Sequence, residues 1–222
     1  MIRTARVTGL LYLGLAVCGG LGFLLVRPQL FDAGDPAATL ANLVAHESLA
    51  RAGVVLELLT VLTQALAAVW FFRLFRAASP VAAGEIAAFG LANAFAILTS
   101  AALLGTALSV AESPYGDAAA TVQTLYLASG QLWSAGGIFF GLWLIPMGWC
   151  VLRSAMPRAL GWTLIGGGAG YVLNAFLLYV LPDAGTVLDV LVVPATVGEF
   201  WMIGYLLIRG AGRTREVALA AA

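Results

Sequence analysis

Six long apolar runs dominate the chain, near residues 7–26, 53–72, 84–110, 128–152, 160–181 and 187–208. Each extends about 20 residues or more, which at ~1.5 Å of rise per residue reaches the ~30 Å needed to cross a hydrocarbon layer as a helix. The runs are continuous, whereas a closed β-barrel would show alternating polarity in strands of about ten residues. The pattern predicts an all-α, polytopic integral membrane protein, a six-transmembrane-helix bundle forming a single membrane domain over residues 1–222. Between the first two runs, Asp35-Pro36 reads as an N-cap with a first-turn proline and predicts a short helix over 37–49 on the outer surface. Residues 111–127, with Pro114-Tyr115-Gly116, read as a second outer loop with room for another interfacial helix, and 182–186 as a tight hairpin.

The first run has a competing reading as a signal peptide, because Arg3 and Arg6 precede it and Leu15-Ala16-Val17-Cys18 approaches a lipoprotein cleavage site. Such sites prefer a small residue before the cysteine. Val17 is larger, and the run continues to Val26, so a retained helix is expected.

Arginine sets the expected orientation. Arg3, Arg6, Arg73, Arg76, Arg153, Arg158, Arg209, Arg213 and Arg215 fall on one face of the predicted topology, and only Arg27 and Arg51 on the other. The richer face is expected to be cytoplasmic, with both termini there and the chain a multi-pass protein of the cell inner (plasma) membrane. Asp32, Asp35, Glu47, Glu112, Asp117 and Asp183 fall on the opposite, outer face, as does His46, read as a solvated surface group beside Glu47 and Arg51.

Composition agrees with the pattern and removes several function classes. Only 10% of residues are charged, against about 25% in soluble domains. Eleven basic and eleven acidic residues cancel, leaving no basic patch for nucleic acid. One histidine and two separated cysteines, Cys18 and Cys150, give neither a disulfide framework nor zinc or haem spacing. No metal and no cofactor is expected. A P-loop, a nucleophile elbow, an HExxH motif and a Rossmann fingerprint are all absent.

The candidate chemistry lies in polar groups within the apolar runs. A charged side chain at mid-membrane costs ~2.5–3.5 kcal/mol on insertion scales, so intramembrane carboxylates invite a functional hypothesis. Glu57 and Glu199 are the candidate catalytic residues. Glu57, Thr60 and Gln64 form one stripe by their spacing, as do Thr163, Gly170 and Asn174, Gln131 and Ser134, and Thr196 and Glu199. Lipid cannot satisfy these stripes, so they are expected to turn inward. Glu57, Gln131, Asn174 and Asp189 should then gather, with Glu199 beneath. Gln64, Gln131, Asn174, Asp189, Trp133, Tyr171 and Trp201 complete the candidate ligand-binding set. Against this stands a plainer account, in which amides and hydroxyls join helices by hydrogen bonds worth ~0.6 kcal/mol each. Gly137 with Gly141, and Gly166 with Gly170, read as small-residue pairs for close helix packing; Pro146 and Pro194 read as helix interruptions.

The stretches 5–13 (ARVTGLLYL), 38–51, 138–142 (IFFGL), 161–171 and 194–210 (PATVGEFWMIGYLLIRG) resemble, in kind and order, the bacterial six-helix family called domain of unknown function 4386. The resemblance spans nearly the whole chain and implies the six-helix fold without implying a reaction. Family members often carry a histidine near the start of the fourth helix, in a segment like 129–137; here Gln131 occupies that stretch, which contains no histidine.

Three functions compete. One is binding of a small amphipathic or isoprenoid-like molecule in an outward-facing pocket, which needs only a polar and aromatic cavity. A second is metal-free, terpene-cyclase-like acid catalysis, in which a carboxyl kept neutral by burial protonates an alkene or epoxide and aromatic faces stabilise the cation. The third is a non-catalytic membrane subunit or regulator. Membrane lipid, a small lipophilic ligand and a second copy of the chain are the partners this chemistry admits.

Overall fold

A computed structural model describes residues 2–181, 183 and 185–210. The described residues form helices α1 (Ile2–Gly20), a π-helical segment (Leu21–Val26), α2 (Arg27–Leu30), α3 (Pro36–Ala45), α4 (Glu47–Phe75), α5 (Pro80–Glu112), α6 (Ala118–Leu152), α7 (Arg158–Val180) and α8 (Gly185–Ile208). Among the described residues, six helical stretches are long and apolar enough to cross a membrane, the first running unbroken from Ile2 to Leu30. The protein is an all-α, polytopic membrane protein. Its surface agrees: Leu24, Phe95, Phe176 and Phe200 are 70%, 70%, 58% and 59% exposed, as suits side chains that lipid covers rather than water.

The helices are longer than the apolar runs because polar residues are drawn into their ends. Asp35 caps α3, its carboxylate accepting from the amides of Ala37 (2.9 Å) and Ala38 (3.0 Å), while Pro36 fills the first turn. That short helix ends at Ala45, and Glu47 already opens α4. The expected interfacial helix in 111–127 does not form, because α5 runs through Glu112 and α6 begins at Ala118. Gly116 makes the intervening turn at φ +54, and Asp117 caps α6 by accepting from Ala120 N at 3.0 Å. Pro182 and Ala184 of the expected hairpin, and Arg213 and Arg215, lie outside the described residues.

The chain separates into two compact units. The first comprises the described parts of residues 1–13, 64–93 and 136–222. Its centre is aromatic: Tyr12, Phe71 and Trp143 meet edge-on with centroids 5.3–5.5 Å apart. Glycines bring its backbones into contact. A Cβ at Gly141 would overlap the carbonyl of Gly168, and one at Gly148 the carbonyl of Gly161, so α6 and α7 touch without side chains between them. On the other side of α7, a Cβ at Gly167 would overlap the backbone of Ala195, and one at Gly170 the carbonyl of Leu191, both in α8. The expected pairing is corrected accordingly: Gly141 and Gly170 face different helices, Gly166 opens onto free space, and Gly137 meets only the ring of Tyr171.

The second unit comprises residues 14–63 and 94–135. Val26, Leu30, Leu43, Leu104, Val122 and Tyr126 belong to its buried core. The linker before α3 is pinned to α6 by Gln123, whose amide donates to the carbonyls of Asp32 (2.9 Å) and Ala33 (3.1 Å). At an exposed edge Arg51 pairs with Glu47 (2.8 Å) and Glu112 (2.7 Å); His46, at the end of α3, is exposed as well.

Candidate functional site

The second unit holds a hydrogen-bonded chain that runs from a guanidinium to a carboxylate. Glu57 of α4 is 7% exposed. Its Oε1 accepts from Ser100 Oγ of α5 at 3.2 Å and from the indole Nε1 of Trp133 of α6 at 3.1 Å. Ser100 Oγ lies 2.8 Å from Ser129 Oγ, and Arg27 Nη1 donates to Ser129 Oγ at 3.0 Å. Proton inventory fixes the direction. The hydroxyl proton of Ser100 goes to Glu57, and an arginine can only donate. Ser129 therefore donates to Ser100, and the order is Arg27 to Ser129 to Ser100 to Glu57.

Arg27 is anchored and ringed. Its Nη2 donates to the Tyr126 carbonyl, and its guanidinium carbon lies 5.3, 5.5 and 5.7 Å from the ring centroids of Phe31, Tyr126 and Phe23. Three π faces and two hydrogen bonds compensate a half-buried cation. The two charges are thus joined through hydroxyls and make no direct ion pair. Arg27 and Glu57 also line one cavity of about 20 Å³, together with Gly22, Phe23, Gly53 and Tyr126. That is room for roughly one water. Pockets that enclose a whole small molecule run to roughly 300–1,000 Å³.

Two features set this cavity apart from ordinary packing. Glu57 Oε2 is fully buried, with no hydrogen-bond partner among the described residues, although such atoms are nearly always paired. In addition, the wall that carries Phe23 and Val26 and delivers Arg27 is the π-helical segment Leu21–Val26, and π turns within helices are found mostly at functional sites.

The first unit holds the other carboxylate. Tyr12, 1% exposed, donates its phenol proton to Glu199 Oε1 at 2.6 Å. Gln64, fully buried, donates to the Gly90 carbonyl at 3.3 Å and leaves its own oxygen without a partner among the described residues; the buried oxygen of Asn174 has none either. Tyr171 stacks on Phe140 at 5.8 Å. Trp201, 38% exposed, lines an open groove with Pro157, Tyr205 and Arg209. Asp189 is exposed, and so is Gln131 in the second unit.

Of the candidates read from sequence, the structure joins Glu57 to Trp133 by a hydrogen bond, while Glu199 bonds to a residue outside that set, Tyr12. The hydroxyls of the proposed stripes need no inward partner. Thr60, Ser134, Thr163 and Thr196 each donate to the carbonyl four residues earlier in their own helix, which satisfies the one proton each carries even at an exposed position.

Sequence reasoning missed Arg27, Ser100, Tyr126, Ser129 and Tyr12. Arg27 falls just beyond the first apolar run, but the helix passes through it to Leu30. Pro28 is the misleading neighbour: it lies inside the continuous helix, directly after the π-helical segment, and does not end it. The available signal was the crowding of Phe23, Arg27 and Phe31 at helical spacing.

Among the described residues, no three of His, Cys, Asp and Glu are grouped to hold a metal ion. Neither a curated protein nor a solved structure matches the chain. A family model described as Domain of unknown function (DUF4386) matches residues 7–210, and the chain belongs to that family.

Proposed function

We propose that the protein binds a small amphipathic molecule from the bilayer, holding its polar end between Arg27 and Glu57. The observation that carries this is that Arg27 and Glu57 line one cavity, while Glu57 Oε2 is a buried acceptor without a partner among the described residues. An isolated carboxylate oxygen is costly to bury, and a ligand's donor would offset that cost. The apolar part of the ligand would lie on the lipid-covered surface of the same unit, where Leu21, Phe23, Leu25, Val55 and Leu58 are all exposed. The test is thermal unfolding of the purified protein in lipid nanodiscs with long-chain amphiphiles added. Protection that is lost in Glu57→Gln and in Arg27→Gln supports the reading; the absence of protection by any amphiphile overturns it.

Acid catalysis by Glu57 or Glu199 is the second reading. It is favoured by the aromatic setting of Tyr12, the donor to Glu199, whose ring packs edge-on against Phe71 and Trp143.

We further propose that the chain lies in the inner membrane with both ends cytoplasmic, on the arginine asymmetry of its loops. Arg27 is engaged with Ser129 and Tyr126, and Arg51 with Glu47 and Glu112. Neither is therefore a free flanking charge on the outer side, which sharpens the arginine asymmetry.

A further inference from the structure

We propose a second binding site, in the first unit: the groove that carries Glu85, Trp149 and Trp162 holds the head group of a zwitterionic phospholipid whose cation is a primary ammonium. It shares no residue with the cavity lined by Arg27 and Glu57 and does not rest on that reading. Its walls come from the start of α5, the end of α6 and the start of α7. Glu85, Trp149 and Trp162 each lie within three residues of the end of an apolar run, the depth at which head groups meet hydrocarbon.

The backbone sets the two indoles near each other. A Cβ at Gly148 would overlap the carbonyl of Gly161, so α6 and α7 touch one residue before Trp149 and one before Trp162. Both rings are exposed. They line a groove of about 570 Å³ with Ile145, Pro146 and Ile165 as its apolar wall, a size that suits a small-molecule site. An interfacial belt accounts for exposed tryptophans. It does not account for a carboxylate on the same groove.

Glu85 is exposed and, like Arg153, forms no ion pair or side-chain hydrogen bond among the described residues. Arg153 follows the end of α6, its guanidinium carbon 5.7 Å from the Trp149 ring centroid. Both charges act on the buried thiol of Cys150, so they belong to one neighbourhood. The groove thus offers a carboxylate and π faces to a cation, and a guanidinium to an anion. A purely anionic head is repelled by Glu85 and a purely cationic one by Arg153, whereas a head with both charges is attracted at both. Among such heads, an ammonium with N–H groups can donate to Glu85, and a trimethylated one cannot.

The test is native mass spectrometry of the full chain released from detergent micelles, with dioleoyl phosphatidylethanolamine, phosphatidylcholine and phosphatidylglycerol offered in equimolar pairs. The wild type is expected to retain the ethanolamine lipid at least about fivefold more than either of the others. Glu85→Gln should bring it down to the level of the choline lipid. Arg153→Gln should lower retention of the ethanolamine and choline lipids together, because they share the phosphate. Equal retention of all three lipids by the wild type overturns the proposal. So does an ethanolamine preference that survives Glu85→Gln, since the tryptophans would then be belt residues alone. The wild-type comparison needs no variant, and Glu85 and Arg153 are both exposed, so neither replacement empties the core.

Discussion

The phenol of Tyr12 and the carboxylate of Glu199 meet at 2.6 Å although 187 positions separate them in the chain. The contact ties α1 to α8 within the first unit, and it is the hydrogen bond that satisfies a tyrosine whose ring is otherwise walled in by Phe71 and Trp143. Ring and hydroxyl are thus separable by mutation. Tyr12→Phe should keep the packing and cost about 1–3 kcal/mol by leaving Glu199 without its donor. Tyr12→Ala, which also empties the aromatic centre, should cost about 3–5 kcal/mol. Denaturant unfolding in mixed micelles measures both; no loss in Tyr12→Phe would show that the hydrogen bond is irrelevant, and equal losses that the ring packing is.

The glycine contacts give a position-by-position contrast on one helix. Gly168→Ala places a Cβ within 2.7 Å of the Gly141 carbonyl, whereas Gly166→Ala meets nothing within 4 Å. The former should destabilise by about 1–3 kcal/mol through overpacking. The latter should change little, or stabilise slightly by favouring the helix. Thermal midpoints of the two variants, measured side by side, are sufficient; a Gly166→Ala loss as large as that of Gly168→Ala would contradict the packing described.

The relay from Arg27 to Glu57 should break at its middle. Ser100→Ala and Ser129→Ala each strand a polar neighbour and are expected to cost about 1–3 kcal/mol, with the double variant well short of the sum because the two share one chain of bonds. Arg27→Lys should fail to restore what Arg27→Gln loses, since an ammonium cannot reproduce a planar fork reaching Ser129 and the Tyr126 carbonyl at once. A double-mutant cycle that proves additive would argue that the serines act independently.

Arg51 offers the opposite expectation. Its ion pairs with Glu47 and Glu112 are short, but Arg51 is 56% exposed. Arg51→Ala should therefore change the stability little, and less still as salt is raised. A loss of several kcal/mol in an unfolding titration would mean that the pair is not solvated in the membrane-embedded protein.

Orientation can be read by labelling. With Cys18 and Cys150 replaced, single cysteines at Gly34 or Tyr115 should react with an impermeant maleimide added to intact cells. Cysteines at Ala78 or Ala155 should react only after lysis. The reverse pattern would invert the proposed topology.

Much of the architecture was legible in the sequence because helix-length apolar runs have one stable solution in lipid. Glu57 was legible for the same reason: a carboxylate in such a run is conspicuous. Its partners were not. Ser100 and Ser129 look like any helix serine, and only tertiary proximity reveals that they bond to each other rather than to their own backbones. Tyr12 was hidden among ordinary aromatics of the first run, and nothing local announces that its partner is Glu199. Asp189 and Gln131 show the converse. Both are polar residues in or beside apolar runs, yet both are exposed.

The segment Leu21–Val26 also sets the angular phase of everything after it. In an α-helix each residue turns the chain by roughly 100°, and a π turn takes up one residue more for the same circuit. Residues before Gly20 and residues after Val26 therefore follow two different helical wheels, offset by about one residue's rotation. Deleting any one residue between 21 and 26 would merge the wheels into one while the circuit, and so the direction of the Arg27 guanidinium, stays the same. The π segment thus decides which earlier residues share a face with this cation and leaves the cation's own direction unchanged.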